Sequence, residues 1–338
     1  MARTADLAHA FAAHWKRHFA PPGRARVVVA VSAGLDSMAL LALLARDGEG
    51  GDVRVTAAHF DHRTRGAESR EDGLFVKAVA KEWGATARLG SGDAPRRAAK
   101  TGAGPMAAAR ELRYRFLDRV ARDEGAAALV TAHHRDDLVE TVILRVARGT
   151  SPDGLGALTP LDARAGLPLF RPLLPFTRAA IAAWAEATSV PFREDPSNTD
   201  SRYPRVRVRR EIAPLLAELN PRYDEAIVRL AGLAAADAAY LGREAEEALE
   251  LATVRQGRAA WSLRASALAA EPDPILSRAV LRGWAWSAPA GSAPPNAEWV
   301  EGALAFLRGG RGGRVPCPGG GVLERKGPEI TFRRAGKR

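Results

Sequence analysis

The chain has 338 residues, is 46% hydrophobic and carries a formal net charge of +11, which predicts two or three globular domains and a polyanionic partner such as nucleic acid. Its single cysteine, Cys317, excludes an internal disulfide framework, a CxxC zinc site and an iron–sulfur cluster held by this chain alone. The sequence shows no apolar run long enough to span a membrane and no signal-peptide pattern. We therefore expect a cytoplasmic protein without membrane contact.

The first predicted elements are a helix over 5–19 and then a strand, a turn and a helix over 27–41. The turn runs from Ser32 to Ser37, and backbone N–H groups at such a junction favour an anion because they lack intrahelical partners. Ser32 and Ser37 are able to donate hydrogen bonds to phosphate oxygens, and Asp36 is able to hold a divalent cation. The alternative is an ordinary turn in which serine and aspartate only cap the helix.

The following segments alternate between strand and helix patterns. A second strand is predicted over 53–59, a helix over 68–83, a short strand over 85–89, a polar basic loop over 91–104, a helix over 105–124 and a buried strand over 126–131. This alternation predicts an α/β fold with a doubly wound, mostly parallel sheet, in which ligands bind beyond the carboxyl ends of the strands.

Three polar groups fall at that predicted edge of the sheet. They are the turn after the first strand, the His59-Phe60-Asp61-His62 group, and the segment 133–141 that opens another helix. In the third group, Asp137 and Glu140 are three residues apart, so both carboxylates share one helix face. Helix capping by these residues is the alternative, and a zinc site is not supported because the chain has no HExxH or Cys/His spacing.

Beyond residue 216 the composition changes. The Ala-rich stretch from Tyr223 to Val254 has leucines at helical spacing, so we expect a helical domain over 217–290 and a small basic region with β structure over 291–338. Before this boundary lies a dense basic cluster, formed by Arg202, Arg205, Arg207, Arg209 and Arg210. We interpret it as a contact for nucleic-acid phosphates, and a solvated basic face is the alternative.

An ordered series of motifs over 27–216 resembles one family, the bacterial tRNA(Ile)-lysidine synthetases of the PP-loop (N-type ATP pyrophosphatase) superfamily. The family's SGGxDS loop corresponds to residues 32–37, its HxDH to 59–62, its ARxxRY to 109–114, and its AHHxDDxxET matches 132–141 without a mismatch. The series continues with Arg148-Gly149-Thr150, Arg171-Pro172-Leu173-Leu174 and Glu194-Asp195-Pro196-Ser197-Asn198.

The resemblance implies a reaction and its participants. ATP would adenylate C2 of the wobble cytidine of tRNA(Ile) with a CAU anticodon, and free lysine would then displace AMP. The implied cofactors are ATP and Mg²⁺, with 1–216 as the catalytic PP-loop domain and 217–290 as a helical tRNA-binding domain.

The resemblance also assigns roles to individual residues. The ATP-binding residues would be Ser32, Ala33, Gly34, Leu35, Asp36, Ser37, His59, Arg110 and His133. The catalytic residues would be Asp36, His134, Asp137 and Glu140, with Asp36 as a Mg²⁺ ligand and with Asp137 and Glu140 holding the lysine. The tRNA contacts would be Arg202, Arg205, Arg207 and Arg209.

The chain departs from the family pattern at two positions. Ala33 replaces a loop glycine, and its Cβ is harmless if φ is negative but obstructs an anion cradle if φ is positive or a phosphate approaches closely. Val206 replaces an asparagine of the basic cluster. Two other functions stay open at this point: a thiolase-like PP-loop enzyme acting on tRNA, and a tRNA-binding homologue with impaired catalysis.

Overall fold

The computed structural model describes residues 2–19, 24–48, 51, 53–63, 67–102, 104–156, 158–164, 166–194, 204–289 and 292–334. The chain forms two compact units, residues 1–232 and 233–338. Arg202 and the residues after Glu194 in the predicted 194–198 motif lie outside the described part of the chain.

A six-stranded sheet forms the centre of the first unit. Its strands are β1 (Ala25–Ala30), β2 (Val53–Asp61), β3 (Thr86–Ser91), β4 (Ala128–Val130), β5 (Leu161–Arg164) and β6 (Leu167–Phe170). The order is β3-β2-β1-β4-β6-β5. Neighbouring strands are parallel except for the antiparallel pair of β5 and β6, which confirms the predicted mostly parallel sheet.

Helices cover both faces of this sheet. The described part of the first unit contains α1 (Ala2–His18), α2 (Leu35–Leu41), α3 (Ala67–Glu82), α4 (Ala94–Thr101), α5 (Pro105–Asp123), α6 (Arg135–Arg148), α7 (Pro152–Leu155), α8 (Arg178–Ala187), α9 (Pro204–Arg207), α10 (Ala213–Leu219) and the first part of α11 (Tyr223–Ala252). Segments of π-helix follow α2 (Ala42–Arg46) and α9 (Val208–Ile212).

The alternation of side chains along β1 explains the two layers of helices. Val27 and Val29 belong to a core cluster with residues of α1, α2 and α8, whereas Val28 belongs to a separate cluster with residues of α5. Successive side chains of a strand point to opposite faces, so an apolar run buries both faces of the sheet. The first unit is therefore doubly wound, as the sequence predicts.

The predicted loop over 91–104 is wrong, because this segment contains helix α4. Asp93 caps the helix by accepting a hydrogen bond from the backbone N–H of Arg96 at 2.8 Å, and Pro95 lies in its first turn. Gly102 ends the helix with a φ of +67°. Capping aspartate, early proline and terminal glycine are helix boundary signals that outweigh the polar composition between them.

Among the residues described, the second unit contains a five-stranded antiparallel sheet, the later part of α11 and three further helices. The elements are β7 (Thr253–Gln256), β8 (Ala260–Arg264), α12 (Ala265–Ala269), α13 (Asp273–Ser287), α14 (Ala297–Arg308), β9 (Gly313–Pro316), β10 (Val322–Lys326) and β11 (Glu329–Arg333). The strand order is β7-β8-β11-β10-β9. One sheet thus joins strands from both sides of residue 290, so the structure does not separate 217–290 from 291–338 as we predicted.

Within the described residues, no helix combines the length and the apolar content that a membrane crossing requires.

Candidate functional site

Three chain segments meet at the carboxyl ends of β2, β1 and β4, which are neighbours in the sheet. The turn 31–37 follows β1, His59 lies near the end of β2, and residues 131–134 follow β4. Because parallel strands end at the same edge, the topology brings the three sequence groups together in the position where such sheets bind ligands.

The turn between β1 and α2 is held by its own hydroxyl groups. The buried Ser37 Oγ donates to the carbonyl of Gly34 at 2.9 Å and accepts from the backbone N–H of Ser32 at 3.0 Å. The hydroxyls of Ser32 and Ser37 lie 3.2 Å apart. Ser37 therefore shapes the turn from inside, whereas the exposed Ser32 is the serine that faces solvent.

Ala33 has a φ of +71°, which is the left-handed conformation that favours glycine. Its carbonyl accepts a hydrogen bond from the backbone N–H of Arg193 at 2.9 Å, and the residue is 1% exposed within the apolar core cluster. The positive φ is the condition under which we expected the Cβ to obstruct an anion cradle, but the methyl group is buried in the core and is therefore not exposed on the solvent side of the turn. Gly34, by contrast, has an ordinary extended conformation with a φ of −75°.

His134 lies among three carboxylates. Its Nε2 is 3.7 Å from Asp36 Oδ2 and 3.5 Å from Asp137 Oδ2, and its Nδ1 is 3.5 Å from Asp136 Oδ2. Burial lowers the pKa of His134, but the interactions with Asp136, Asp137 and Asp36 outweigh this effect and raise the pKa above its ordinary value. The three carboxylates therefore stabilise the protonated form of the imidazole.

Asp36 is the acidic group of the turn. Burial raises the pKa of its carboxyl, and the charges of His134 and Arg178 act in the opposite direction. Its Oδ1 atom is buried and makes no hydrogen bond within the described part of the protein. A buried acceptor without a partner is costly, and a bound cation removes that cost.

This arrangement fits a magnesium ion carried by phosphates. The described residues contain no cluster of three or more His, Cys, Asp or Glu side chains that would hold a metal. Mg²⁺ does not need one, because it is usually bound by one or two carboxylates together with waters and substrate phosphates. Asp36 Oδ1, beside the turn, is the atom available for that role.

Asp137 and Glu140 share a face of α6, as the sequence predicts, and both are paired with arginines of the basic cluster. Arg205 Nη1 lies 3.0 Å from Asp137 Oδ1, and its Nη2 donates to Thr141 Oγ1 at 3.1 Å. Arg209 donates to Glu140 Oε1 from Nε at 2.9 Å and from Nη2 at 2.6 Å. The predicted lysine site and the predicted tRNA contacts are therefore in direct contact with each other.

Glu140 is only 3% exposed. Burial raises the pKa of its carboxyl, an effect opposed by the hydrogen bonds and charges of Arg209 and Arg205. Arg207, between these two arginines in the sequence, pairs with Glu211 at 3.0 Å on its own helical segment instead. Of these three arginines of the cluster, Arg205 and Arg209 thus bind acids of α6, whereas Arg207 does not.

The three other predicted ATP-binding residues differ in exposure. His59 is 5% exposed, and its Nδ1 lies 2.9 Å from the carbonyl of Val31, so it supports the start of the turn from below. His133 lies 2.9 Å from Thr131 Oγ1, and burial lowers its pKa to about 4, which keeps it neutral at pH 7. Arg110 is exposed and stacks over the ring of Tyr114, with 4.7 Å from its Cζ to the centroid.

Two residues of this site, Asp136 and Arg178, were not predicted from the sequence. Asp136 Oδ2 accepts the backbone N–H of Arg178 at 2.8 Å, and this contact ties the start of α8 to α6. The hydrogen bonds and charges of the folded site lower the pKa of Asp136 to about 2, although burial acts in the opposite direction. Arg178 Nε lies 3.8 Å from Asp36 Oδ2. Asp136 and Arg178 are 42 positions apart in the sequence, so no local sequence pattern joins them.

Comparison with known proteins agrees with this fold. A sequence model of the PP-loop domain matches residues 7–216. The tRNA(Ile)-lysidine synthase of a Bradyrhizobium species is 38% identical over 282 residues, which is 80% of this chain and 77% of that protein. The chain therefore belongs to the PP-loop proteins and, among them, to the tRNA(Ile)-lysidine synthase family.

Other relatives are matched over a smaller share of their length. The tRNA(Ile)-lysidine synthase of a Thermotoga species is 40% identical over 204 residues, which is 60% of this chain and 48% of that protein. The chain thus spans about half the length of several curated relatives that it matches. A solved U34-tRNA thiolase from Methanococcus maripaludis has a TM-score of 0.53 at 19% identity, covering 67% of this chain and 78% of the thiolase, and this likeness concerns the fold alone.

Proposed function

We propose that this protein uses ATP to attach lysine to C2 of the wobble cytidine of tRNA(Ile) with a CAU anticodon, releasing AMP and pyrophosphate. The observation that carries the proposal is the meeting of the 32–37 turn with the acidic face of α6 at one edge of the sheet, in a chain of the tRNA(Ile)-lysidine synthase family.

The first step is adenylation of the base. The C2 oxygen of the cytidine bonds to the α-phosphorus of ATP, and the bond from that phosphorus to the leaving pyrophosphate breaks. Backbone N–H groups at the start of α2 and the hydroxyl of Ser32 would bind the phosphates, where charge develops as the bond breaks. Asp36 would hold Mg²⁺, which neutralises phosphate charge when it is bound.

The second step is attack by the ε-amine of lysine on C2, with loss of AMP. Asp137 and Glu140 would bind the incoming ammonium, because their carboxylates lie side by side on one face of α6 and already accept cationic donors from Arg205 and Arg209. The amine must lose a proton before it attacks. His134 and Glu140, both with raised pKa values, are the groups of the site suited to accept that proton.

The ion pairs of Arg205 and Arg209 fit this scheme if tRNA binding removes them. Both guanidinium groups occupy the carboxylates proposed for lysine, and the same arginines are proposed to bind tRNA phosphates. A phosphate backbone that attracts the arginines would therefore expose Asp137 and Glu140 to the lysine ammonium. Lysine binding should consequently be stronger in the presence of tRNA.

Two alternatives are weaker. A thiolase like the M. maripaludis protein, whose structure contains a 4Fe–4S cluster, would need cluster ligands that this chain cannot supply with its single Cys317. A homologue with impaired catalysis is disfavoured because Asp36, His134, Asp137 and Glu140 are all retained and adjacent.

The experiment that tests the proposal identifies the product. The protein is incubated with a tRNA(Ile) transcript, ATP, Mg²⁺ and lysine. The tRNA is then digested to nucleosides, and their masses are measured by mass spectrometry. We expect cytidine at the wobble position to gain the mass of lysine less one water, with one AMP and one pyrophosphate per product. Tight tRNA binding without lysine incorporation would contradict the proposal, and a gain of sulfur in a parallel incubation that supplies sulfide in place of lysine would favour the thiolase.

A further inference from the structure

We propose that Arg178 binds the β- and γ-phosphates of ATP and stabilises the charge of the departing pyrophosphate. This inference rests on the proposed function, because it assigns a role in the ATP-cleaving half of that reaction.

The backbone at the start of α8 is fixed beside the 32–37 turn. The N–H of Arg178 donates to Asp136 Oδ2 at 2.8 Å, and the N–H of Arg135 donates to the carbonyl of Phe176 at 2.9 Å. Thr177 caps the helix by accepting the N–H of Ala180 at 3.2 Å. Ile181 of the same helix packs in the core cluster that contains α2. The side chain of Arg178 thus extends from a rigid part of the fold.

The side chain of Arg178 extends to the 32–37 turn, but its guanidinium donates no hydrogen bond to the described residues there. Its Nε lies 3.8 Å from Asp36 Oδ2, which is beyond hydrogen-bond distance, and its side chain is 43% exposed. No hydrogen bond from its guanidinium occurs among the residues described. The guanidinium therefore has several free donors next to the proposed metal ligand.

Arg193 is also connected to the turn, and it shows the contrasting case. Its guanidinium pairs with Asp72 at 2.7 Å and with Glu71 at 3.1 Å, while its backbone N–H holds the carbonyl of Ala33. The charge of Arg193 is thus used within the protein. Of the two arginines, Arg178 is the one available to a ligand.

The phosphates of ATP are the ligand that suits this guanidinium. A planar guanidinium donates two parallel hydrogen bonds to phosphate oxygens. A cation held by Asp36 would neutralise the carboxylate beside Arg178, and the phosphate oxygens of a triphosphate would then supply the negative charge that the guanidinium binds. As the bond between the α-phosphorus and the bridging oxygen breaks, its electron pair moves onto the pyrophosphate, where a nearby fixed positive charge lowers the barrier.

The test compares nucleotides with and without the β- and γ-phosphates. Affinities for ATP and AMP, each with Mg²⁺, are measured by calorimetry for the wild-type protein, Arg178→Ala and Arg178→Lys. A hydrogen-bonded charge contributes enough that its loss weakens binding by roughly 10- to 100-fold. We expect that loss for ATP with Arg178→Ala, a smaller loss with Arg178→Lys, and AMP affinities within about twofold of wild type.

The control variant is Arg229→Ala. Arg229 is also an exposed helical arginine at a long distance from one acid, with 3.9 Å between its Nη1 and Glu225 Oε2. It should leave both affinities unchanged.

Two results would overturn the inference alone: unchanged ATP affinity in Arg178→Ala, or equal weakening of ATP and AMP. If Arg178→Ala does not fold, the same comparison is decided by Arg178→Lys, which keeps the charge and the length of the side chain. A wild-type protein that binds no ATP would overturn the proposed function as well.

Discussion

At position 33 an alanine adopts a φ of +71°, a conformation that costs an L residue roughly 1–2 kcal/mol. Glycine at this position would remove the backbone strain, but two effects oppose that gain in stability. Removing the buried methyl group costs about 0.8 kcal/mol, and the added freedom of glycine in the unfolded chain costs about 0.4–1 kcal/mol. Alanine is therefore tolerated, because its Cβ contributes packing where it also causes strain.

We expect Ala33→Gly to change the free energy of unfolding by less than about 1 kcal/mol, since these terms nearly cancel. The affinity for ATP should stay within about twofold of wild type, because the methyl group packs into the core and not into the phosphate side of the turn. Denaturant unfolding and calorimetric titration measure the two quantities. Several-fold tighter ATP binding by the variant would show that the Cβ obstructs the site.

The two histidines after β4 have pKa shifts of opposite direction. The pKa of His133 falls from 6.5 to about 4 in the folded protein because the ring is buried. Below pH 6.5 the unfolded chain therefore binds a proton that the folded chain refuses, so this contribution to stability is full above pH 6.5 and is lost as the pH falls towards 4. The raised pKa of His134 acts in the opposite sense, since its contribution is lost as the pH rises.

We expect His133→Asn to flatten the pH dependence of unfolding between about pH 6.5 and 4.5. The wild-type free energy should fall more steeply with acid, by up to about 1.4 kcal/mol per pH unit for one proton. Denaturant unfolding of both proteins at several pH values gives the difference, in which the contribution of His134 cancels. Parallel curves would mean that His133 titrates normally in the folded state.

At the scale of elements, the segment of α9 and its π-helical continuation is held to α6 by arginines. Arg209→Gln should destabilise the protein by about 1–3 kcal/mol, because it leaves the buried Glu140 carboxylate without its main partner. Arg207→Gln is the matched control, since Arg207 pairs with the exposed Glu211 on the same segment. That pair should contribute less than about 1 kcal/mol. Equal effects on the unfolding midpoint would contradict the structural distinction between these arginines.

The parts of the fold that follow local patterns were predictable from the sequence. The apolar strand over 27–31 and the helix boundaries of α5 follow from hydrophobic runs and from Pro105 and Gly125. Helix α4 was missed because its capping residues were given less weight than its polar composition. Strands β7 and β8 were missed because they are short and follow a long helix without a strong β pattern.

The candidate site was predictable only in its motifs. The sequence places His134, Asp137 and Glu140 within seven consecutive residues at the start of α6, but it does not identify their partners. Arg209 is 69 positions from Glu140, and Arg178 is 42 positions from Asp136. Pairings over such separations depend on how the helices pack on the sheet. A basic cluster therefore indicates a charged surface in sequence, whereas only the structure shows which of its members are neutralised by acids.

At the scale of the whole molecule, the charge of +11 has two interpretations, an RNA-binding surface or a general bias in composition. They differ in the effect of salt. Binding through phosphate contacts releases counterions, and each contact adds about −0.7 to −0.9 to the slope of log affinity against log salt.

We expect a steep negative slope for binding of the tRNA(Ile) transcript, measured by filter binding at several salt concentrations. Arg205→Gln should make this slope less negative by about 0.7 to 0.9, which is the contribution of one phosphate contact. A slope near zero would indicate that the basic residues of the chain do not meet the RNA backbone.

In the proposed reaction, ATP cleavage and lysine transfer take place at one edge of the first unit's sheet. Lysine incorporation is therefore measured for the wild-type protein and for Asp137→Asn. Radiolabelled lysine, ATP and Mg²⁺ are supplied with transcripts that carry a CAU or an altered anticodon. We predict ATP-dependent labelling of the CAU transcript only, with a raised lysine requirement and little change in ATP affinity for Asp137→Asn. An unlabelled CAU transcript would rule out the proposed reaction, and a variant that loses ATP affinity while its lysine dependence is unchanged would rule out the role of Asp137 in lysine binding.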